Sequence, residues 1–600
     1  MRTLWRSHGW KVYAALALGA LVCSVLFARF LLGTSFATHD DEGYFLLAMR
    51  RYWFRGDLAG EPWKFEHYGP FYYLVQSLFM GKAVTHDAGR WATLCCWLGA
   101  ASLSGWFMWC ATRVPLLAAS AVLASVSVLS VLGHEPGHPQ QEVAVLLALA
   151  CAACVHPGLR ARWVLGAVGA ALVLTKINVG AFYLAALLHA AACVWMRGKC
   201  RDIAITVSLM YAVAAAPVLA AGHLADGASG FALVASLCAA VTFAYGLRAR
   251  HDGAWDSPHI AAVARGFGMA AIATLIVSMF ETQSIYRIGE LWEGLVLQPA
   301  RNPAGGLFLG FRLGWVECAA TFVVLATVWC VDRYAREFMG WVRAGAGLAG
   351  IFLLVRTDLT WVMPLVPLGV LPLTRRAWSN SEWFTRIFVA DLAVTEFLQT
   401  YPVAGGQAGI AALPVMLWSF LCLWDGLEEV GRRRWARPVA ALITVVVTAG
   451  MWRSGLRQFG YPYAPSRLPG SSRLHLEPGQ ADTYRFLSNS IRQNCNLLYT
   501  LPRLHSFNFW SSVDAPAYSA SPLSLQLYTV ARQETVLNQL RKDASSCAVY
   551  NRAILDFWQA PQGFVDQSPL VQYVIREMPV MVSRDGYEIR VNPARRQPWR

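Results

Sequence analysis

The chain has 600 residues and a formal net charge of +15, yet only 14% of its residues are charged and 56% are hydrophobic, with a mean hydropathy of +0.40. A soluble domain holds roughly a quarter charged residues, so this composition excludes a soluble globular protein and implies a chain that crosses a membrane many times. The excess of positive charge does not indicate a nucleic-acid partner, because much of it lies in short loops between apolar runs.

The N-terminus, MRTLWRSHGWK, is basic, and an apolar run over 12–33 follows it. That run is too long for a signal-peptide core and no small-residue cleavage site follows, so it reads as a retained first span. Further spans are predicted at 91–112, 114–133, 141–156, 163–175, 180–196, 203–221, 230–247, 266–281, 310–331, 343–356, 359–374, 387–400, 408–424 and 437–452. The loops HPGLRAR, RGKCRD, RARHDGAWDSPH, DRYAREFMGWVR, RRAWSNSEWFTR and GRRRWAR recur at every second connection, whereas HEPGHPQQ, GHLADGASG and TYPVAGGQ hold no Lys or Arg. This is the positive-inside asymmetry. It predicts a cytoplasmic N-terminus in a plasma or inner membrane, with residues 34–90, 281–307 and 453–600 on the exported face.

The expected fold is mainly α: a polytopic helical membrane domain over 1–452, then a small exported α/β domain over 453–600. The tail opens with the Pro- and Gly-rich YPYAPSRLPGSSRLHLEPG. ADTYRFLSNSIRQN has helical spacing and runs into the strand CNLLYTLP, and QETVLNQLRKDASS runs likewise into CAVYN. Helix, cysteine and strand thus occur twice. Parallel neighbouring strands would bring Cys495 and Cys547 to one end, within disulfide reach, in a compartment that favours the bond. Of 14 cysteines, the other 12 lie in spans or at their edges and read as small buried hydrophobes, the CAAC at Cys151–Cys154 included. PVMVSRDGYEIRVN predicts a hairpin turning at Asp585-Gly586.

The first long loop holds THDDEGYFLLAMRRYWF. Helical spacing there puts Phe45, Met49, Tyr52 and Trp53 near one face and predicts a helix in the membrane interface. Asp40 or Asp41 could cap it, but three adjacent carboxylates exceed what a cap needs. One of them could serve as a general base or a metal ligand at the membrane surface.

HDDEGYFLLAMRRYWFRGD followed by GEPWKFEHYGPFYYL resembles the first exported loop of the GT-C superfamily of integral-membrane glycosyltransferases, which includes protein O-mannosyltransferases and aminoarabinose lipid A transferases. Asp41, Glu42, Tyr44, Gly69, Pro70, Tyr72 and Tyr73 match its pattern over about 45 residues. The resemblance implies transfer of a sugar from a polyprenyl-phosphate donor to a lipid, glycan or protein acceptor on the exported face, with inversion. It makes Asp41 the first choice of base and Glu42 the residue that orients it. Asp40 is the reserve, because the extra aspartate leaves the alignment ambiguous by one. No cofactor is required on this reading. His39 and the carboxylates permit a divalent metal, but no second ligand cluster is evident and no metal residues are assigned.

A lipid phosphate needs cations. Lys176, Arg287, Arg301, Arg312 and Arg356 are the candidates, against snorkelling to the interface; Lys176 and Arg356 interrupt apolar sequence, where charge is costly. Tyr44, Tyr68 and Tyr72 complete the expected substrate-binding set. Glu396, Gln399, Tyr401 and Gln407 could line the cavity or bond between helices. In the tail, LPRLHSFNFWSSVDAP is expected to fold back over the active site, where Phe507, Phe509 and Trp510 could stack on sugar or lipid, or simply form tail core. The alternatives are a transporter or flippase, whose coupling carboxylates belong near the bilayer midplane, and a non-catalytic assembly or sensor protein.

Overall fold

The computed structural model describes residues 2–53, 68–81, 83–248, 256–282, 289, 292–297, 311–355, 378–459, 462–516, 530–559 and 568–595. The protein is mainly helical, with a small sheet near its C-terminus. Ten helical segments among the described residues are long and apolar enough to cross a membrane.

The first long helix is α1 (Arg2–Thr34). After it come α2 (Asp41–Trp53), α3 (Pro70–Met80), α4 (His86–Thr112), α5 (Pro115–Leu129), α6 (Gln140–Cys154), α7 (Leu159–Val173) and α8 (Ile177–Val194). The bundle continues with α9 (Gly198–Ala220), α10 (Ser229–Gly246), α11 (Ser257–Thr282), α12 (Trp315–Tyr334), α13 (Met339–Val355), α14 (Asn380–Glu396), α15 (Gly405–Glu429) and α16 (Ala436–Phe459). Every predicted span coincides with one of these helices except 359–374, which lies outside the described residues. Large apolar side chains such as Met210, Met269, Phe280 and Phe322 stay exposed on the rim, as suits helices facing lipid.

Two expectations are corrected here. The second span begins at His86 rather than at 91, because Thr85 accepts from the backbone of Ala88 and caps the helix. Arg90 is therefore a helix residue and not the end of a loop. The helix predicted to lie in the interface does form, as α2, but its apolar face is covered by protein. Phe45, Met49 and Tyr52 are buried in a cluster with Tyr72, Tyr73 and Met80 of α3. Helical periodicity marks an apolar face without saying whether lipid or protein covers it.

The Gly-Pro motif has a local cause. Pro70 occupies the first helical position of α3, where its missing N–H costs nothing. The backbone of Gly69 donates to Thr175 O at 2.9 Å and that of Phe71 to Leu174 O at 3.0 Å. A Cβ on Gly69 would stand 2.0 Å from Leu174 O, so only glycine allows this approach. It brings the start of α3 to the start of α8, beside Lys176.

Beyond α16 lie the short pair β1 (Ala464–Pro465) and β2 (His475–Leu476), then α17 (Pro478–Asn494), β3 (Leu497–Leu501), α18 (Ser506–Ser511), α19 (Val530–Lys542), β4 (Ser546–Asn551), α20 (Arg552–Gln559), β5 (Val580–Arg584) and β6 (Tyr587–Val591). The sheet order is β3-β4-β6-β5. Strands β3 and β4 are parallel with Leu498 opposite Cys547, and Cys495 is disulfide-bonded to Cys547. The β5–β6 hairpin turns at Asp585 and Gly586, both with positive φ, as a tight primed turn requires.

Candidate active site

Three consecutive carboxylates meet three different fates. Asp40 precedes α2 with φ of +55°, a conformation aspartate tolerates better than most residues. Its Oδ1 accepts from the backbone of Gly43 at 2.9 Å, which makes it the helix cap. Ser506 of the C-terminal region donates its backbone N–H to Oδ2 and its hydroxyl to Oδ1, both at 2.6 Å. A Cβ on Gly43 would meet Ser506 N at 2.2 Å, so glycine is needed for this contact too. Burial pushes the Asp40 carboxyl up to about 7, against the Ser506 and Gly43 donors. The capping role considered for Asp40 or Asp41 thus falls to Asp40, and both of its oxygens are occupied.

Glu42 does not orient Asp41. It turns to the other side of α2 and accepts from Arg90 Nε at 2.9 Å and Nη2 at 2.6 Å, a buried bidentate pair that locks α2 to α4. Successive helical residues diverge by about 100°, which separates the two neighbours.

Asp41 alone faces a mixed polar cluster. Its Oδ1 meets the Arg503 guanidinium and its Oδ2 lies 3.5 Å from His39 Nε2. Burial by itself would raise this carboxyl, but Arg503 and then His39 outweigh it and hold it well below the usual carboxylate range. Arg503 has φ of +58°, an uncommon conformation for a side-chain-bearing residue. Such backbone persists where the surroundings enforce it.

Glu135, from the loop between α5 and α6, completes the cluster. His39, Asp41 and Glu135 each offer a ligand atom, all within 4.8 Å of one another. Burial and then repulsion from Asp41 push Glu135 up to about 7, against His39 and Lys176. Its Oε2 is buried with no hydrogen-bond partner among the described residues; His138 Nε2 stands 3.9 Å away. Burial lowers Lys176 to about 8, although Glu135 and Glu396 act in the opposite sense, and its Nζ donates to Gln407 Oε1 at 3.2 Å. Burial, then Lys176, lowers His138 to about 3. One imidazole and two carboxylates are an acceptable donor set for a divalent cation. The Arg503 guanidinium competes for the same Asp41 carboxylate.

The expected substrate-binding residues divide. The Tyr68 hydroxyl lies 3.5 Å from His138 Nε2, and Tyr72 donates to Gly137 O at 2.7 Å, so both join the wall around Glu135. Tyr44 is fully buried, its ring 4.8 Å from Phe45 and 6.5 Å from His505. Arg312 lies with its stem near Gly227. Arg287, Arg301 and Arg356 fall outside the described residues.

The stretch around Trp510 does return to the first loop. Besides Ser506 and Arg503, Asp514 pairs with Arg50 at 2.7 Å and Pro516 O accepts from Arg51 at 2.6 Å. Of the two roles considered for its aromatics, Phe507 and Trp510 take that of core. Trp510 is 1% exposed, stacks 5.2 Å from His86 and donates to Ser471 Oγ at 2.9 Å, so it is core. Phe507 is buried with it, and Phe509 packs against the α2–α3 cluster.

Sequence reading missed Glu135, His138, Arg90 and Arg503. The loop HEPGHPQQ holds no Lys or Arg, and its Glu and His are the available signal; nothing in the sequence near Arg503 links it to Asp41. No protein-family model and no curated protein matches the chain. Among solved structures it is similar to ArnT from Cupriavidus metallidurans bound to undecaprenyl phosphate, with 16% identity over 98% of each chain and a TM-score of 0.43. The apo state of the same protein aligns at 15% identity over 98% of this chain and 99% of that one, with a TM-score of 0.36. At TM-scores of this size neither likeness bears on function.

Proposed function

We propose that the chain is a membrane glycosyltransferase that moves a sugar from a polyprenyl-phosphate donor to an acceptor hydroxyl on the exported face. The observation that carries this reading is the partly buried cluster of Asp41, Glu135 and His39 set against Arg503 and Lys176 at one end of the helical bundle. Two carboxylates of opposite acid–base character beside two cations suit a reaction that takes a proton at one point and releases an anion at another.

In the proposed step the acceptor oxygen forms a bond to the anomeric carbon while the bond from that carbon to the phosphate oxygen breaks. The acceptor proton passes to a carboxylate, and the electron pair leaves with the polyprenyl phosphate. Glu135 is the better proton acceptor, since its carboxyl is held near 7 and a base works best near the operating pH. Asp41, the first choice from sequence, is here the fixed anion that raises Glu135 and orients His39. Lys176 and Arg503 neutralise the departing phosphate. A divalent cation held by His39, Asp41 and Glu135 would supply further charge for that phosphate; the proton path needs only the side chains. Glu135 follows the end of one membrane span and Asp41 lies in the loop after another, which favours surface chemistry over the midplane carboxylates of a transporter.

The test is incubation of the purified protein with a panel of polyprenyl-phosphate sugars and a membrane-lipid acceptor extract, following release of polyprenyl phosphate. Release with at least one sugar is expected. Absence of release across the panel, with the protein folded, would remove the reading.

A further inference from the structure

A cavity of about 890 Å³ lies between α1, α4 and α16 where β2 and its approach close the helix ends. Leu26, Phe30, Leu94 and Met451 form its apolar walls; Arg29, Arg90 and Arg473 are its cations, of which Arg90 is paired with Glu42. No aspartate or glutamate lines it. This volume is in the usual range for a ligand site.

The cations are the unusual part. Arg29 stands inside the apolar span Ala17–Thr34, five residues before its end. Arg29 is exposed on this helix and close enough to its end for the guanidinium to reach headgroup level. Among the described residues no carboxylate pairs with Arg29 or with the Arg473 guanidinium, which instead lies 5.6 Å over the Trp91 ring. Trp91 and Trp452, each 50% exposed, line the same cavity, as amphipathic rings do at headgroup level. Unpaired guanidinium groups above an apolar trough at a membrane surface complement a phosphate that carries acyl chains.

We propose that this pocket binds an anionic phospholipid of the surrounding leaflet, with its phosphate on Arg29 and Arg473 and an acyl chain against Leu26, Phe30 and Met451. The site is separate from the Asp41 cluster. Arg90 forms the wall between them: it lines the cavity, and its guanidinium holds Glu42 at 2.9 and 2.6 Å on the other side. The occupied pocket would therefore brace the pair that fixes α2. Because binding is read directly, this inference stands or falls independently of sugar transfer.

The experiment is native mass spectrometry of the full chain in detergent, titrated with phosphatidylglycerol, phosphatidylcholine or inorganic phosphate. One phosphatidylglycerol is expected to remain bound per chain, with phosphatidylcholine weaker by roughly tenfold or more, since it carries a compensating cation. The double variant Arg29→Gln, Arg473→Gln should lose roughly tenfold in phosphatidylglycerol affinity. Leu26→Trp, at a position 57% exposed, should weaken binding by filling the trough without touching the charges, and it decides the matter if the arginine variants fail to fold. Equal retention of both lipids, unchanged binding in the variants, or displacement of phosphatidylglycerol by inorganic phosphate alone would overturn the proposal.

Discussion

Helix α15 has charged clusters at both ends, and they differ in kind. At its C-terminal end Asp425 accepts from Arg386 Nε at 2.8 Å and Nη2 at 2.6 Å, the Arg386 guanidinium lies 4.4 Å over Trp378, and Glu429 pairs with Arg343. Each charge there meets an opposite partner, and Arg386 and Asp425 are saturated with geometry that leaves little capacity for a ligand. At its N-terminal end Gly406 lies against Glu135, such that a Cβ would stand 2.8 Å from Glu135 Oε2, and Gln407 holds Lys176. Here carboxylates, imidazoles and cations are mixed, and one carboxylate oxygen is buried without a hydrogen bond. The positive end of the helix dipole favours anions at this end and the negative end favours cations at the other. Burial of charge alone therefore does not mark a site. What distinguishes the N-terminal cluster is hydrogen-bonding capacity left unspent.

The comparison is sharpest in substitutions that keep shape and remove charge. Asp41→Asn and Glu135→Gln are each expected to lower sugar transfer by a factor of ~10²–10⁴; Glu135→Gln should do so with little change in thermal stability, whereas Asp41→Asn also takes the charge partner from the buried Arg503 guanidinium and should lose some. Full turnover in either variant would erase the distinction between the two ends. Asp425→Asn should do the reverse. It leaves the Arg386 guanidinium buried without its counter-ion and should cost about 3–5 kcal/mol of stability, while the folded fraction keeps its specific activity; a Tm series with active-fraction titration would read both. A smaller effect is expected from Ser506→Ala, which strips one of three donations to Asp40. It should cost about 1–3 kcal/mol, visible as earlier proteolytic release of the C-terminal region.

The smallest expected change is a shift in pH dependence. With Glu135 as base the rate should rise with pH through about 7, because only the ionised carboxylate takes the proton. Asp41 raises Glu135 by repulsion, so in Asp41→Asn the limb of the residual rate should move to lower pH, by ~1 unit. A limb that stays fixed would return the base role to Asp41 or to another group.

Much of the fold was legible because spans and loops differ grossly in polarity. The disulfide was legible because helix, cysteine and strand occur twice, and parallel pairing of β3 with β4 brings the two cysteines to the same end. Asp41 stood out as part of an acidic run, but which member of the run is free to act depends on tertiary partners: Ser506 occupies Asp40, Arg90 occupies Glu42. Glu135 and Arg503 come from distant segments, joined to Asp41 only once α2 is seated on α3, α4 and the C-terminal region. No spacing rule within one sequence registers such a junction.

The central claim is that Asp41 and Glu135 act together on a proton and a lipid phosphate. The most direct measurement is single-turnover release of polyprenyl phosphate from a labelled polyprenyl-phosphate sugar by the wild-type chain, Asp41→Asn, Glu135→Gln and the double variant, all folded at the assay temperature. The account predicts that the double variant is hardly slower than either single one, because the two residues work as a unit. Losses that multiply, or a Glu135→Gln variant as fast as wild type, would contradict it.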